Sequence, residues 1–212
     1  MAMHEQRIAK SFVGLVAGVS IILASCGGAE LSETEVLAAQ TERSSLTSDL
    51  PVTTTPLSEL SSEHVEPPIN FATSPSTGGD HYPFWMNCGF YEVPVIEGAA
   101  THSLEHGVVW ITYGPSFPER DLSELESLAE NNSRLLISPY AHEEPIVLSV
   151  WGAQLRSVTS AMDLEIQLFI DAWQDNLLLA EAGARCNGSL GVAPDIVDRF
   201  PDGQQIPELF LQ

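Results

Sequence analysis

Hydrophobic and polar residues follow two different periods in the part of the chain beyond residue 80. Four short runs of β-branched and aromatic residues predict β-strands. They cover residues 108–113, 134–137, 146–151 and 154–158. Two longer segments repeat apolar residues at helical spacing and predict amphipathic helices. The first presents Leu122, Leu125, Leu128 and Ala129, and the second presents Ile166, Phe169, Ile170, Trp173 and Leu177.

A shorter helix is predicted over residues 99–106, with Gly107 as its C-terminal stop. Ser116 with Glu119 is predicted to cap the first long helix, and Ser160 the second. The order of these elements predicts an α+β fold. We expect a two-layer sandwich, in which a small mixed β-sheet has its helices packed on one face.

The first 26 residues have the pattern of a bacterial lipoprotein leader. Arg7 and Lys10 precede an apolar run over residues 12–23, and small residues followed by Cys26 end this run. Residues 1–25 are therefore predicted to be a signal peptide that is cleaved before a lipid-modified Cys26. The apolar run is too short for a membrane helix, which takes about 20 residues. We expect an extracytoplasmic protein that is lipid-anchored to the bacterial cell membrane.

Residues 26–66 are rich in Ser, Thr, Glu and Pro and poor in aromatic residues. Such a composition buries too little apolar surface to offset the entropy lost when a chain becomes ordered. The segment is predicted to be a long disordered tether. It would join the lipid at Cys26 to a single globular domain over residues 67–212, which ends in a loop-rich tail.

The charge balance argues against one class of partner. The chain has 8 basic and 29 acidic residues, for a formal net charge of −21, and its single lysine is Lys10. A surface this acidic repels phosphate backbones, so nucleic acid is not an expected partner. The same charge is typical of a soluble exported domain.

Two cysteines remain once Cys26 is assigned to the lipid. Cys88 and Cys186 are predicted to form a disulfide, because two cysteines in an oxidising compartment most often pair. A metal thiolate or a redox dithiol is the alternative, although the chain contains no C-x-x-C motif.

The clearest chemical motif is the sequence HSLEH at residues 102–106, a literal H-x-x-E-H. On a helix this spacing places both imidazoles on one face, one turn apart, with the carboxylate beside them. His81 is the most plausible third histidine. The set His81, His102, His106 and Glu105 is therefore predicted to bind a metal ion, either zinc or copper, since imidazole ligands suit both.

Two other interpretations of the motif stay open. In zinc peptidases H-x-x-E-H supplies two metal ligands and a general base, so the chain is alternatively a small metallohydrolase that uses Glu105 as the base. In the third interpretation the histidines form a buried hydrogen-bond network, and the domain is a metal-free module that binds a partner in the cell envelope. A non-catalytic binding module with a histidine-rich metal site is the leading hypothesis.

The other histidine and several tryptophans of the domain have structural interpretations. His142 lies in a polar stretch and is predicted to be a solvated loop residue. Trp110, Trp151 and Trp173 fall in predicted strands or on a helix face and are expected in the core.

Several separated motifs occur in a fixed order: HYP at residue 81, WMNCGFY at residue 85, HSLEHGVVWITY at residue 102, SPY at residue 138 and VWGAQL at residue 150, followed by Cys186. Together they resemble a bacterial extracytoplasmic family known as domain of unknown function 3105. The resemblance implies a membrane-anchored or secreted protein, in agreement with the leader, and it implies no particular reaction.

Overall fold

The computed structural model describes residues 49–189 continuously, together with Ser32, Thr34, Ala38, Thr41 and Ser45. The signal peptide and the lipid site predicted at Cys26 lie outside the described residues, as does the C-terminal tail beyond residue 189. Within the described part of the chain, no helix is long and apolar enough to cross a membrane.

Six strands form one mixed sheet. They are β1 (Thr53–Thr54), β2 (Gly89–Phe90), β3 (Val109–Tyr113), β4 (Leu135–Pro139), β5 (Ile146–Val150) and β6 (Ala153–Val158). Their order across the sheet is β1-β6-β5-β3-β4-β2. β4 runs parallel to both of its neighbours, β3 and β2, whereas all other pairs are antiparallel. The mixed sheet predicted from the sequence is confirmed, and its four long strands are the four predicted runs.

Three α-helices lie within residues 49–189: α1 (Glu97–Glu105), α2 (Leu122–Asn131) and α3 (Leu164–Trp173). The predicted α+β class is confirmed. The predicted helix caps are wrong, because Asp121 and Asp163 occupy the N-cap positions and neither makes a side-chain cap hydrogen bond. Ser116 instead donates its hydroxyl to the carbonyl of Glu143. Leu177 does not join the core either: α3 ends before it, and its side chain is 66% exposed.

α2 and α3 cover one face of the sheet, where the packing is apolar. The strands contribute Val109, Ile111, Leu135, Ile137, Leu148 and Leu155, and the helices contribute Leu125, Ile166, Phe169 and Ile170. Complete burial of one such side chain stabilises the fold by about 1.5–3 kcal/mol. This face is the main hydrophobic core, and we call it the apolar face.

α1 lies on the other face. Successive side chains of a strand point to opposite faces, and Trp110 and Leu136 pack with Ala99, Ala100 and Leu104 of α1 rather than with α2 and α3. The helices are thus divided between both faces, in contrast to the expectation that they share one. Helical periodicity does not reveal which face a helix covers, and the small residues of α1 allow close approach without a broad apolar stripe. We call this side the α1 face.

Residues 49–66, which composition assigned to the tether, take part in this fold. β1 pairs with β6 at the edge of the sheet, and Leu57 and Leu60 pack against the cluster on the α1 face. The domain therefore extends further towards the N terminus than residue 67. The apolar residues in this segment are too sparse to form a periodic pattern, and their partners lie far away in the sequence.

Candidate metal centre

The H-x-x-E-H motif lies at the C-terminal end of α1. His102 and Glu105 are in the last turn of the helix, and His106 is its C-cap residue. The ring centroids of the two histidines lie 4.7 Å apart, so the predicted spacing of one turn is present. Gly107 follows with a φ of 91°, a conformation that favours glycine, and it redirects the chain into β3.

The main chain holds three imidazoles in the same way. The Nδ1 atoms lie within hydrogen-bonding distance of carbonyl oxygens: His81 of Gly79 (2.8 Å), His102 of Tyr82 (2.7 Å) and His106 of Arg185 (2.8 Å). A carbonyl oxygen can only accept, so Nδ1 must carry the hydrogen. The other ring nitrogen, Nε2, then has a free lone pair when the imidazole is neutral. Metal-binding histidines are commonly oriented by such a bond.

Two carboxylates face these Nε2 atoms. Oε2 of Glu181, in the loop after α3, lies 2.9 Å from Nε2 of His106 and 3.4 Å from Nε2 of His102. Oε2 of Glu105 lies 3.1 Å from Nε2 of His81. The His81 nitrogen is buried and, despite that distance, has no hydrogen-bond partner of suitable geometry among the described residues.

These contacts require a cation. The lone pair of a neutral imidazole at Nε2 and the lone pairs of a carboxylate oxygen repel each other unless a proton or a metal ion lies between them. Two ligands of a tetrahedral ion with bonds of about 2.0–2.1 Å lie about 3.3 Å apart. The three measured separations are close to that value.

The pKa values of His102 and Glu181 are both lowered in the folded protein. Burial lowers the pKa of His102, and the positive charges that His81 and His106 could carry lower it further. The hydrogen bond to Tyr82 and the charge of Glu181 act in the opposite direction without reversing the shift. Burial raises the pKa of Glu181, but the charge of the two adjacent imidazoles when they are protonated, together with their hydrogen bonds, outweighs this effect and the pKa is lowered. The lowered pKa of His102 favours its neutral form, whose Nε2 lone pair could bind a metal ion.

His64 brings a fourth imidazole from the segment before the predicted domain. Its ring stacks on His102 at 4.8 Å and meets His81 edge-on at 4.9 Å. Three groups of side chains could hold a metal ion, because the ligand atoms within each group lie within 4.8 Å of one another. They are His64, His81 and His102; His102, His106 and Glu181; and His64, Glu105 and Glu181. We call these six residues the His–Glu cluster.

The structure thus brings together all four residues proposed from the sequence as metal ligands and adds two. His64 was missed because the acidic, Ser-rich segment around it has the composition of a tether. Glu181 was missed because it is one acidic residue among many. One signal did exist: a Cys88–Cys186 disulfide places residues just before Cys186 near the motif that follows Cys88.

Trp85 lies against the cluster, with its ring 5.0 Å from that of His106 and 5.7 Å from that of His102. Trp110 and Trp151 are buried and Trp173 is partly buried in the core, as expected. The prediction that His142 is solvated is wrong. Its side chain is only 5% exposed, and the ring contacts the hydroxyl of Thr112, so the polar residues around it conceal a buried position.

Cys88 and Cys186 form a disulfide, with their Cα atoms 5.4 Å apart. A disulfide indicates an oxidising, extracytoplasmic setting, because thiols are kept reduced in the cytosol. The bond joins the segment before α1 to the segment that carries Glu181.

The fold and the site define a class: an α+β domain with a disulfide and a buried cluster of histidines and glutamates that could hold a metal ion. The chain belongs to the family described as "Protein of unknown function (DUF3105)", whose family model matches residues 64–188. The match begins at His64 and includes every residue of the His–Glu cluster and both cysteines of the disulfide. Comparisons with curated proteins and with solved structures gave no match.

Proposed function

We propose that this protein is a lipid-anchored, extracytoplasmic binding module whose His–Glu cluster binds one zinc or copper ion without catalysing a reaction. The observation that carries the proposal is that the Nε2 atoms of three imidazoles, each with its Nδ1 on a carbonyl oxygen, face carboxylate oxygens at 2.9–3.4 Å. A metal ion turns each of these repulsive contacts into a pair of ligand bonds. Neutral imidazoles suit zinc and copper among the common metals.

His102, His106 and Glu181 form one side of the proposed site, because their contacts have the separations that a tetrahedral ion requires. His81 and His64 form a second possible group with His102, which does not include His106. Glu105 is 3% exposed and lies beside His81. This placement supports a role in ligation or in neutralising the ion, and no specific contact favours Glu105 as the general base of a hydrolase.

The decisive experiment is a metal titration of the purified full chain after removal of bound metal with a chelator. Zinc or copper should bind with one equivalent per chain in competition with a chromophoric chelator. His102→Ala should weaken binding by more than about 100-fold, since even changes to the residues that orient ligands cost 10–100-fold. His142→Ala is the matched control, because His142 is similarly buried and its Nδ1 also meets a carbonyl oxygen.

Each alternative has its own result. If the wild type binds neither ion tightly, the cluster is a hydrogen-bond network or part of a partner-binding surface, and the proposal is wrong. If Glu105→Gln keeps the metal but abolishes turnover of a peptide or ester substrate, the protein is a metallohydrolase. Equal loss of metal in His102→Ala and His142→Ala would indicate that both variants simply unfold.

The membrane anchor rests on the sequence of the leader and needs a separate experiment. Cells that express the wild type with a labelled fatty acid should incorporate the label into the protein, and Cys26→Ala should abolish this incorporation and leave the precursor uncleaved. Cys88→Ala serves as the control for loss of an unrelated cysteine. A wild-type protein that takes up no label would refute the lipid anchor and leave the metal site unaffected.

A further inference from the structure

The segment after α3 provides part of the His–Glu cluster. Residues 175–186, here called the C-terminal loop, contain no helix or strand of their own. The loop contributes the carboxylate of Glu181, which faces His102 and His106. It also contributes the carbonyl oxygen of Arg185, which fixes Nδ1 of His106. One ligand of the proposed ion and the orientation of another therefore depend on where this loop lies.

Apart from the disulfide, the loop is held by Leu179 and Ala182, which pack in the cluster on the α1 face, and by polar contacts with one arginine and the end of α1. The guanidinium of Arg134 donates to the carbonyl of Ala184 (2.6 Å), to the carboxylate of Asp175 (2.8 Å) and to the carbonyl of His106. The N–H of Gly183 also donates to the carbonyl of His106. Leu179 precedes Glu181, and the stretch from Gly183 to Arg185 depends on polar contacts at a partly exposed surface, where water competes for the same groups.

The covalent link lies at the end of the loop. Cys186 directly follows Arg185. The carbonyl of Cys186 accepts a hydrogen bond from the N–H of Cys88 (2.8 Å). The disulfide closes a stretch of 98 residues, so its loss would greatly increase the freedom of the loop relative to α1. Cys186 is buried but Cys88 is partly exposed, so a thiol reagent can approach the bond from the side of Cys88.

We propose that the Cys88–Cys186 disulfide controls how tightly the His–Glu cluster holds its metal ion. This inference rests on the proposed function. In the oxidised protein the loop keeps Glu181 and the Arg185 carbonyl in place, and the ion is retained. When a dithiol reductant exchanges with the disulfide, the protein gains two electrons and two protons as two thiols, and the dithiol becomes a disulfide. The loop is then free to move away from the histidines, and the ion is released more readily.

The first test compares zinc affinity in four forms of the full chain: wild type, Glu181→Gln, the double variant Cys88→Ser with Cys186→Ser, and the combination of all three changes. Loss of the disulfide should weaken zinc binding by about 10–100-fold, the range seen when the groups around a ligand are lost. Glu181→Gln should weaken binding as well. Removal of the disulfide should then cost much less in the Glu181→Gln background, because both changes act on the same loop.

Leu125→Ala is the control for general destabilisation, since Leu125 is fully buried in the hydrophobic core of the apolar face, whereas the His–Glu cluster lies on the α1 face. It should bind zinc as the wild type does. If the double cysteine variant binds zinc with wild-type affinity, the inference is wrong. It is also wrong if the loss of zinc affinity from removal of the disulfide and the loss from Glu181→Gln simply add in the combined variant. In either case the proposed function stands. A wild type that binds no metal would overturn both.

A second measurement covers the case in which the cysteine variant fails to fold. By reciprocity, an ion that is held better by the closed loop must also stabilise the disulfide. In a glutathione redox buffer at equilibrium, saturating zinc should therefore raise the ratio of the disulfide form to the dithiol form of the wild type by about tenfold or more. Glu181→Gln should remove most of this increase. An unchanged equilibrium ratio in the wild type would refute the inference.

Discussion

The two faces of the sheet differ in what they bury. On the apolar face, strands and helices meet through aliphatic and aromatic side chains alone. On the α1 face, a second apolar cluster is interrupted by buried polar residues: Thr101, His102, Ser103, Glu105 and His106 follow one another closely on or just after α1. Apolar packing tolerates many arrangements of similar volume, whereas each buried polar atom must find a partner in a defined direction. The second face is therefore specialised, and the candidate site lies there.

Most polar atoms on the α1 face are satisfied within the fold. The hydroxyl of Ser103 donates to the carbonyl of Met86 and accepts from its N–H, which ties α1 to the preceding segment. Thr101 donates to the carbonyl of Glu97 one turn earlier. Among the described residues, the Nε2 atom of His81 and the Nε1 atom of Trp85, beside the cluster, are buried without a hydrogen-bond partner. A polar group left unsatisfied in an otherwise satisfied interior indicates a functional site.

The largest expected effect separates stability from metal binding. Phe169→Ala on the apolar face should lower the free energy of unfolding by about 3–5 kcal/mol, because it removes a fully buried aromatic ring and leaves a cavity. Zinc should still raise the stability of this variant by the same increment as in the wild type, since the cluster is unchanged. Urea unfolding with and without zinc measures both quantities.

His102→Ala should show the opposite result when urea unfolding is measured with and without zinc. It should lose the zinc-dependent increment while retaining most of the stability that the metal-free wild type has. If zinc failed to stabilise Phe169→Ala as well, the two faces would form one inseparable unit and the comparison would be wrong.

A smaller effect concerns His142, a buried histidine on the α1 face that contacts Thr112 and Glu144 rather than the cluster. Burial lowers the pKa of His142, and the positive charge of Arg156 lowers it further, while the hydrogen bond to Glu144 opposes the shift. In the unfolded chain the histidine binds its proton at about pH 6.5. The unfolded state therefore binds more protons between that pH and the lowered pKa of the folded protein.

The contribution of His142 to stability is thus complete above about pH 6.5 and is lost as the pH falls through the pKa of the folded state, with a slope of at most about 1.4 kcal/mol per pH unit. Urea unfolding of the metal-free protein at about pH 7.5 and about pH 5.5 should show a smaller loss of stability in His142→Gln than in the wild type. An identical loss in both proteins would show that His142 does not contribute to the acid sensitivity of this face.

Elements whose information is local were predictable from the amino-acid sequence. The strands β3, β4, β5 and β6 were predictable because each is a short run of residues that favour extended, buried backbone. Amphipathic spacing predicted α2 and α3 for the same reason. The H-x-x-E-H motif was visible because helix geometry brings residues that are three and four positions apart to the same face.

The face that α1 covers and two residues of the His–Glu cluster depend on how distant segments pack together. His64 reaches the motif because residues 49–66 run along the domain and form a bridge with His81. Glu181 reaches it because a disulfide and Arg134 place the C-terminal loop beside His106. Neither residue lies in a periodic pattern, and each meets its partners through contacts between distant segments. Local propensity carries no information about such contacts, which depend on how the whole chain packs.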